Sequence, residues 1–257
     1  MSTMLDIQGL TKEFGQFKAV DDVSFLVGSG EVLGFLGPNG AGKSTTMKMV
    51  TGFLSPTSGT ALVCGRDVTR DPIAVKRHIG YLPEGAPLYE DMTPAGLLAF
   101  AADIRRLSGA EKRVAIDVAV TRLQLDEVYN QQIGTLSKGF KRRVGLAQAI
   151  LHDPDVLVLD EPTNHLDIRH QLEIIDLLKN LPLTIISSLH DLNMAADTCD
   201  EVVILKDGHL LSVGTPDVAF SADAVSRTFE VMANYERLAP SDKNLLTFNL
   251  KNEENYP

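Results

Sequence analysis

The sequence predicts an α/β protein with a mostly parallel sheet, an antiparallel β portion and a helical insert. Three observations predict it. Short apolar runs of strand length alternate with stretches of helical spacing. A glycine-rich turn, Gly37-Pro38-Asn39-Gly40-Ala41-Gly42-Lys43-Ser44-Thr45, joins one such run to one such helix. From about Thr93 the pattern turns helical, and strands return only after His152-Asp153-Pro154.

Each element follows from its residues. Residues 4–10 and 22–27 alternate partly and read as strands, with Gly15 marking a turn between them. Val32-Leu33-Gly34-Phe35-Leu36 is an apolar strand, and Thr46 to Phe53 has helical spacing through Met47, Met49 and Val50. A short strand is expected from Thr60 to Val63, bounded by Gly59 and Gly65, and another at Ile79-Gly80-Tyr81-Leu82, stopped by Pro83. In the helical stretch, Leu97, Leu98, Ala101 and Ile104 share one face, continued by Val114, Val118, Thr121 and Leu125. A helix from Arg143 to Leu151 closes at His152-Asp153-Pro154. Val156 to Leu159 and Leu183 to Ser188 read as buried strands. Residues 1–220 form one domain with the insert at about 84–152. Residues 221–257 form an appendage with two weakly helical stretches, whose polar tip, Asn252-Glu253-Glu254-Asn255, is expected to be disordered.

Composition narrows the function. The chain has 257 residues, enough to bury a full core. A net charge of −10 argues against a general nucleic-acid binder. Cys64 and Cys199 are far apart and read as free buried thiols. The longest apolar-leaning stretch, Pro94 to Ala102, is about half the roughly 20 residues that a bilayer helix needs, so no membrane span is expected.

The glycine-rich turn fits G-x-x-x-x-G-K-[ST], the phosphate-binding loop of nucleotide hydrolases. Its glycines let backbone N–H groups close around phosphate oxygens, and the helix start adds favourable partial charge. Lys43 is placed to reach the β- and γ-phosphates, and Ser44 to offer its hydroxyl to Mg²⁺. A second motif, Val156-Leu157-Val158-Leu159-Asp160-Glu161-Pro162-Thr163, sets two carboxylates at the C-terminal end of a strand, the end that faces ligands in a parallel sheet. Asp160 is the expected Mg²⁺ partner and Glu161 the group that polarises the attacking water.

Further motifs stand in order. Leu136-Ser137-Lys138-Gly139-Phe140-Lys141-Arg142-Arg143 resembles the LSGGQ signature of ABC ATPases, with Lys138 in place of a glycine and Lys141 near the expected glutamine. Asn164-His165-Leu166-Asp167 resembles the D-loop, and His190 the switch histidine. The resemblance, over roughly residues 4–217, is to the nucleotide-binding subunit of ABC transporters. It implies a P-loop NTPase core. It also implies that Phe14 stacks on adenine, with Phe17 a substitute, and that Glu84, where the family usually has Gln, touches Mg²⁺ and links core to insert. Ser137 and Gly139 would meet the γ-phosphate held by another subunit, and His190 would contact the γ-phosphate of its own. The lysines and arginines from Lys138 to Arg143 read as a solvated helix face near phosphate rather than a nucleic-acid site.

The implied activity is ATP hydrolysis with ATP and Mg²⁺, driving transport through separate membrane permease subunits. The segment Ile79 to Tyr89 and Leu136 to Gly139 resemble the export-associated branch. The implied partners are a second ATPase subunit, identical or related, and a permease docking around Glu84 to Thr93, where Pro87, Leu88, Tyr89 and Met92 sit in a loop. The implied location is the cytoplasm, peripheral on the inner face of the cell membrane. Two other readings are a soluble ABC ATPase of a cytosolic assembly machine with no permease, and a binding module that dimerises on ATP with little turnover. Glu161 and His190, both present, argue against the latter.

Overall fold

The computed structural model describes residues 2–85, 88–238 and 243–250. Two sheets make the core. β1 (Thr3–Phe14) and β2 (Phe17–Gly28) form a hairpin, longer at both arms than the alternation alone indicates. β3 (Val32–Leu36) leads through the glycine-rich turn into α1 (Lys43–Val50). β4 (Ser58–Val63) and β5 (Arg66–Asp67) then complete an antiparallel sheet of order β2-β1-β4-β5. Leu5, Ile7, Ala61 and Val63 of that sheet pack with Phe35, Met47 and Val50, so the antiparallel sheet lies across α1 and the first parallel strand.

α2 (Pro72–His78) feeds β6 (Ile79–Leu82). α3 (Pro94–Ile104), α4 (Gly109–Arg122) and α5 (Lys138–Ile150) form the helical insert. β7 (Val156–Leu159), α6 (Ile168–Lys179), β8 (Thr184–Ser188), α7 (Leu192–Thr198), β9 (Glu201–Lys206) and β10 (His209–Gly214) finish the second sheet. Its order is β10-β9-β3-β8-β7-β6, parallel except at the β9–β10 edge. β7 and β8 are buried at every position, which explains the unbroken apolar run Val156 to Leu159 of β7; β8 also buries Thr184, Ser187 and Ser188.

Three expectations need correction. The buried face of α4 is Ile116, Ala119 and Val120, continued by Leu123, while Val114 is 61% exposed and Val118 is also exposed. The true stripe is two residues along, about 200° round the helix. Both stripes are apolar, so hydropathy alone could not choose between them. Ile104 is likewise exposed, unlike its α3 neighbours Leu97, Leu98 and Ala101. α8 (Pro216–Ala219) ends just before the appendage, in which α9 (Ala222–Phe229) precedes an antiparallel hairpin of β11 (Val231–Leu238) and β12 (Lys243–Leu250), where a second helical stretch was expected. The hairpin buries Ala233 and Leu246 into the cluster around Phe220 and Leu192. The polar tip, residues 252–255, lies outside the described residues.

Among the described residues, no helix is long and apolar enough to cross a membrane.

Candidate functional site

The candidate site forms where β3, β8 and β7, neighbours in the sheet, end on the same side. β3 delivers the glycine-rich turn, β7 delivers Asp160 and Glu161, and β8 runs between them to Ser188 and His190. The turn is shaped by its glycines. Gly42, the residue before α1, has φ 102°, and a Cβ there would stand 2.5 Å from the Ala19 carbonyl oxygen of β2. Gly37 at φ 146° is tighter still, with a built Cβ 2.2 Å from the Leu205 carbonyl oxygen. Side chains at either position would push the loop away from the sheets that brace it.

Lys43 is 5% exposed and bends back over the loop, its Nζ donating to the carbonyl oxygens of Gly37 (2.7 Å) and Pro38 (3.1 Å). Burial lowers its pKa, against the charges of Glu161 and Asp160, which raise it. Lys43 Nζ thus lies over the glycine-rich turn. Beside it, Ser44 Oγ donates to Asp160 Oδ1 at 3.2 Å.

Asp160 is 3% exposed, and a second hydroxyl, Ser188 Oγ, donates to the same carboxylate oxygen at 2.9 Å. Ser188 also accepts the Glu161 N–H at 2.7 Å. Ser188 therefore ties β8 to the Asp160 carboxylate and to the Glu161 backbone. Sequence reasoning missed it. The signal was a polar residue ending an apolar strand beside the acidic one.

Glu161 adopts a left-handed backbone, φ 52°. For a residue with a Cβ that costs about 1–2 kcal/mol, offset by the contacts the turn permits. The turn aims the carboxylate at two partners. Oε1 meets His190 Nε2 at 2.6 Å, and Oε2 accepts from Asn164 Nδ2 at 2.7 Å. Asn164 Nδ2 also reaches Glu84 Oε1 at 3.3 Å. The D-loop-like segment thus links Glu161 to Glu84, which lies just past β6. Arg142 of α5 adds Nη2 to the Glu161 carbonyl oxygen at 3.2 Å, and burial holds its pKa below the usual value. His190 precedes α7, whose N-cap Asp191 accepts from Met194 N at 2.9 Å.

The other sequence-predicted residues lie apart from this network. Ser137 is exposed and caps α5, accepting from Phe140 N at 3.3 Å. Gly139 is buried against α6, where a Cβ would stand 2.5 Å from His170 Cδ2, so a glycine there is already required by packing. Phe14 and Phe17 face each other at the tip of the β1–β2 hairpin and are 50% and 63% exposed, with Lys12 Nζ 5.2 Å from the Phe14 ring centroid. Both side chains are exposed, and β2 passes the loop at Ala19.

The basic run is not one solvated face. Arg143 is 8% exposed, salt-bridged to Glu173 at 2.8 Å and within 5.2 Å of the Phe140 ring, while Lys141 pairs with Glu90. A groove of about 410 Å³ opens between core and insert, lined by Glu84, Leu88, Lys138, Arg142, Asn164 and Leu166 among others. Leu88 and Met92 are half-buried, and Tyr89 is 55% exposed with its ring edge-on to Phe100. Pro87 lies outside the described residues.

Residues 20–164 match the ABC transporter family. The ATP-binding protein YxlF of Bacillus subtilis is 42% identical over 212 residues, covering 80% of this chain and 69% of that protein. The bacitracin transport ATP-binding protein BcrA of Bacillus licheniformis is 37% identical over 215 residues, covering 82% of this chain and 69% of its own length. Among solved structures, cbiO1 from Clostridium perfringens, described as part of the ABC transporter complex cbiONQ, superposes with a TM-score of 0.78 at 29% identity, covering 88% of this chain and 94% of that one. The fold and the match define an ATP-binding cassette. The chain belongs to the ABC transporter family, as one of its ATP-binding proteins, and these are ATPases.

Proposed function

We propose that this chain hydrolyses ATP at a site shared with a second ATPase subunit, and that hydrolysis drives a substrate outward through separate membrane permease subunits. The carrying observation is the grip on Glu161: a left-handed residue whose two carboxylate oxygens are held by His190 and Asn164, next to the Asp160–Ser44 pair.

Phosphoryl transfer to water needs position and electrostatics more than covalent chemistry. The loop from Gly37 to Thr45 cradles the phosphates, and Lys43 exchanges its two carbonyl partners for phosphate oxygens. Glu161 orients the attacking water and takes its proton, and His190 stabilises charge on the phosphoryl group. Ser44 and Asp160 fit a hard divalent cation: a hydroxyl and a buried carboxylate already converge within 3.2 Å. Mg²⁺ held there, with Glu84 near by, would neutralise phosphate charge. Phe14 and Phe17 supply the stacking surface for adenine. Ser137 and Gly139 complete the site of the opposite subunit.

The permease and the outward direction rest on resemblance. A relative 37% identical over 215 residues is named for bacitracin transport, and a solved neighbour is part of a transporter complex. The exposed Tyr89 and half-buried Leu88, beside Glu84, are the surface proposed for the permease.

The test is Glu161→Gln. It removes the base while keeping a hydrogen-bond acceptor for Asn164. ATP binding is expected to persist and turnover to fall on the order of 10²–10⁴-fold, with an ATP-bound dimer accumulating on sizing. Turnover near that of the parent protein would end the assignment.

A further inference from the structure

At the opposite end of the parallel strands from the nucleotide site lies a second cluster of ligating groups. Cys64, His78 and Asp155 each offer one donor atom, all within 4.8 Å of one another. His78 Nδ1 meets Asp155 Oδ2 at 2.6 Å, and Cys64 Sγ lies 3.8 Å from the thioether of Met4. We propose that Cys64, His78 and Asp155 form a binding site for a borderline-soft divalent cation of the Zn²⁺ class, bracing the antiparallel sheet against the parallel one.

The backbone brings these groups together in two locked pairs. Cys64 N donates to the Met4 carbonyl at 2.9 Å, and Asp155 N donates to the His78 carbonyl at 3.0 Å. Cys64 and Met4 belong to the antiparallel sheet. His78 and Asp155 immediately precede the parallel strands β6 and β7. The ligands therefore come from both sheets and span their contact. Asp155 and Asp160 flank β7, and five residues at about 3.3 Å each set them roughly 16 Å apart. This cluster is separate from the groups that would hold the nucleotide's cation.

The donor set selects the ion. A thiolate, an imidazole and a carboxylate are the ligands Zn²⁺ takes, and three of them leave a fourth position for water. Oxygen-seeking Mg²⁺ has little use for the sulfur and nitrogen. Two ligands on one tetrahedral ion stand about 3.3 Å apart. The His78–Asp155 pair must therefore open by less than 1 Å from its 2.6 Å hydrogen bond. Asp155 is exposed, so its side chain has room to move, whereas Cys64 and His78 are half-buried. Cys64 is also held with φ 49° at the turn between β4 and β5, followed by Gly65 at φ 75°. Such a turn favours Asn, Asp or Gly, and a cysteine there is unusual. Burial, and behind it the Asp155 charge, push the Cys64 thiol up, with Arg66 acting the other way. Metal binding must therefore displace a proton.

The experiment uses the full chain, nucleotide-free, with Co²⁺ and Zn²⁺ as probes. The expected result is one Co²⁺ per chain with thiolate-to-metal charge-transfer absorption, displaced by Zn²⁺, and a rise of several degrees in Tm with Zn²⁺. Cys64→Ser should abolish the absorption. His78→Gln and Asp155→Asn should weaken binding at least tenfold. Cys199→Ser, which removes the other, buried thiol, and His190→Ala, which breaks the Glu161–His190 pair, should leave the band unchanged. Circular dichroism and ATP binding check that each variant is folded. Absence of the thiolate band in the parent protein, or its survival in Cys64→Ser, overturns the site. So does binding lost only in His190→Ala, which would put the ion on the Glu161–His190 pair.

Discussion

Lys43 and Asp160 are almost fully buried, and a chain of hydrogen bonds runs from Ser44 through Asp160, Ser188 and Glu161 to His190. Ser137 and Lys138, on the signature-like helix α5, are exposed, and Ser137 bonds only the start of its own helix among the contacts described. One region is assembled within the chain, and the other presents a capped helix N-terminus to its surroundings. Buried, mutually bonded polar groups must be satisfied by the fold itself, because an orphan costs about 1–3 kcal/mol. An exposed cap carries no such obligation and is free to meet a ligand held by another chain.

The most severe way to break this contrast is Ser137→Arg. It puts a bulky cation at the exposed cap while leaving the Lys43 network intact. Turnover is expected to drop on the order of 10²-fold or more, with nucleotide affinity of the isolated monomer unchanged, as read by phosphate release and by equilibrium binding. A matching loss of monomer affinity would mean that Ser137 serves its own phosphate loop.

A smaller effect sharpens the boundary between the regions at Glu84, which Asn164 links to Glu161. Glu84→Gln keeps a hydrogen-bond acceptor and should retain most activity, whereas Glu84→Ala should lose roughly tenfold or more. Steady-state rates against Mg²⁺ concentration separate the two. Equal, unperturbed rates in both variants would reduce Glu84 to a loop residue.

The smallest effect lies in the appendage. Asn193 of α7 grips β12 at both backbone groups of Leu246, accepting its N–H at 2.8 Å and donating to its carbonyl at 3.1 Å. Asn193→Ala should destabilise the hairpin by about 1–3 kcal/mol. Faster amide exchange confined to β11, β12 and α7 is the expected signature. Exchange unchanged there would show that the apolar contacts of Ala233 and Leu246 hold the hairpin alone.

Legibility in the sequence followed the same division. The phosphate loop, the acidic strand end and the alternation of strands and helices could be read because each needs a fixed residue type at a fixed spacing. The mostly parallel sheet and the antiparallel portion agree with that reading. Ser188 was hidden because a serine ending a strand has no motif of its own. Arg142 and Arg143 were hidden because a run of basic residues does not say which side of a helix each one takes. Arg143 turns inward to Glu173, and Arg142 turns to the Glu161 carbonyl. The α4 face and the terminal hairpin failed for a related reason. When both faces of an element are apolar, or neither is, tertiary contacts choose, and these are absent from local pattern.

The central claim, that the site is completed by a second chain, is tested most directly by a disulfide. Asn39→Cys at the exposed tip of the phosphate loop and Ser137→Cys are combined with Glu161→Gln in a Cys64→Ser/Cys199→Ser background. A disulfide needs Cα atoms within about 7 Å, so it forms only if loop and cap truly face each other. The expected result is a cross-linked dimer on non-reducing gels that requires ATP and both new cysteines. A cross-link within one chain, or none with ATP bound, would contradict it.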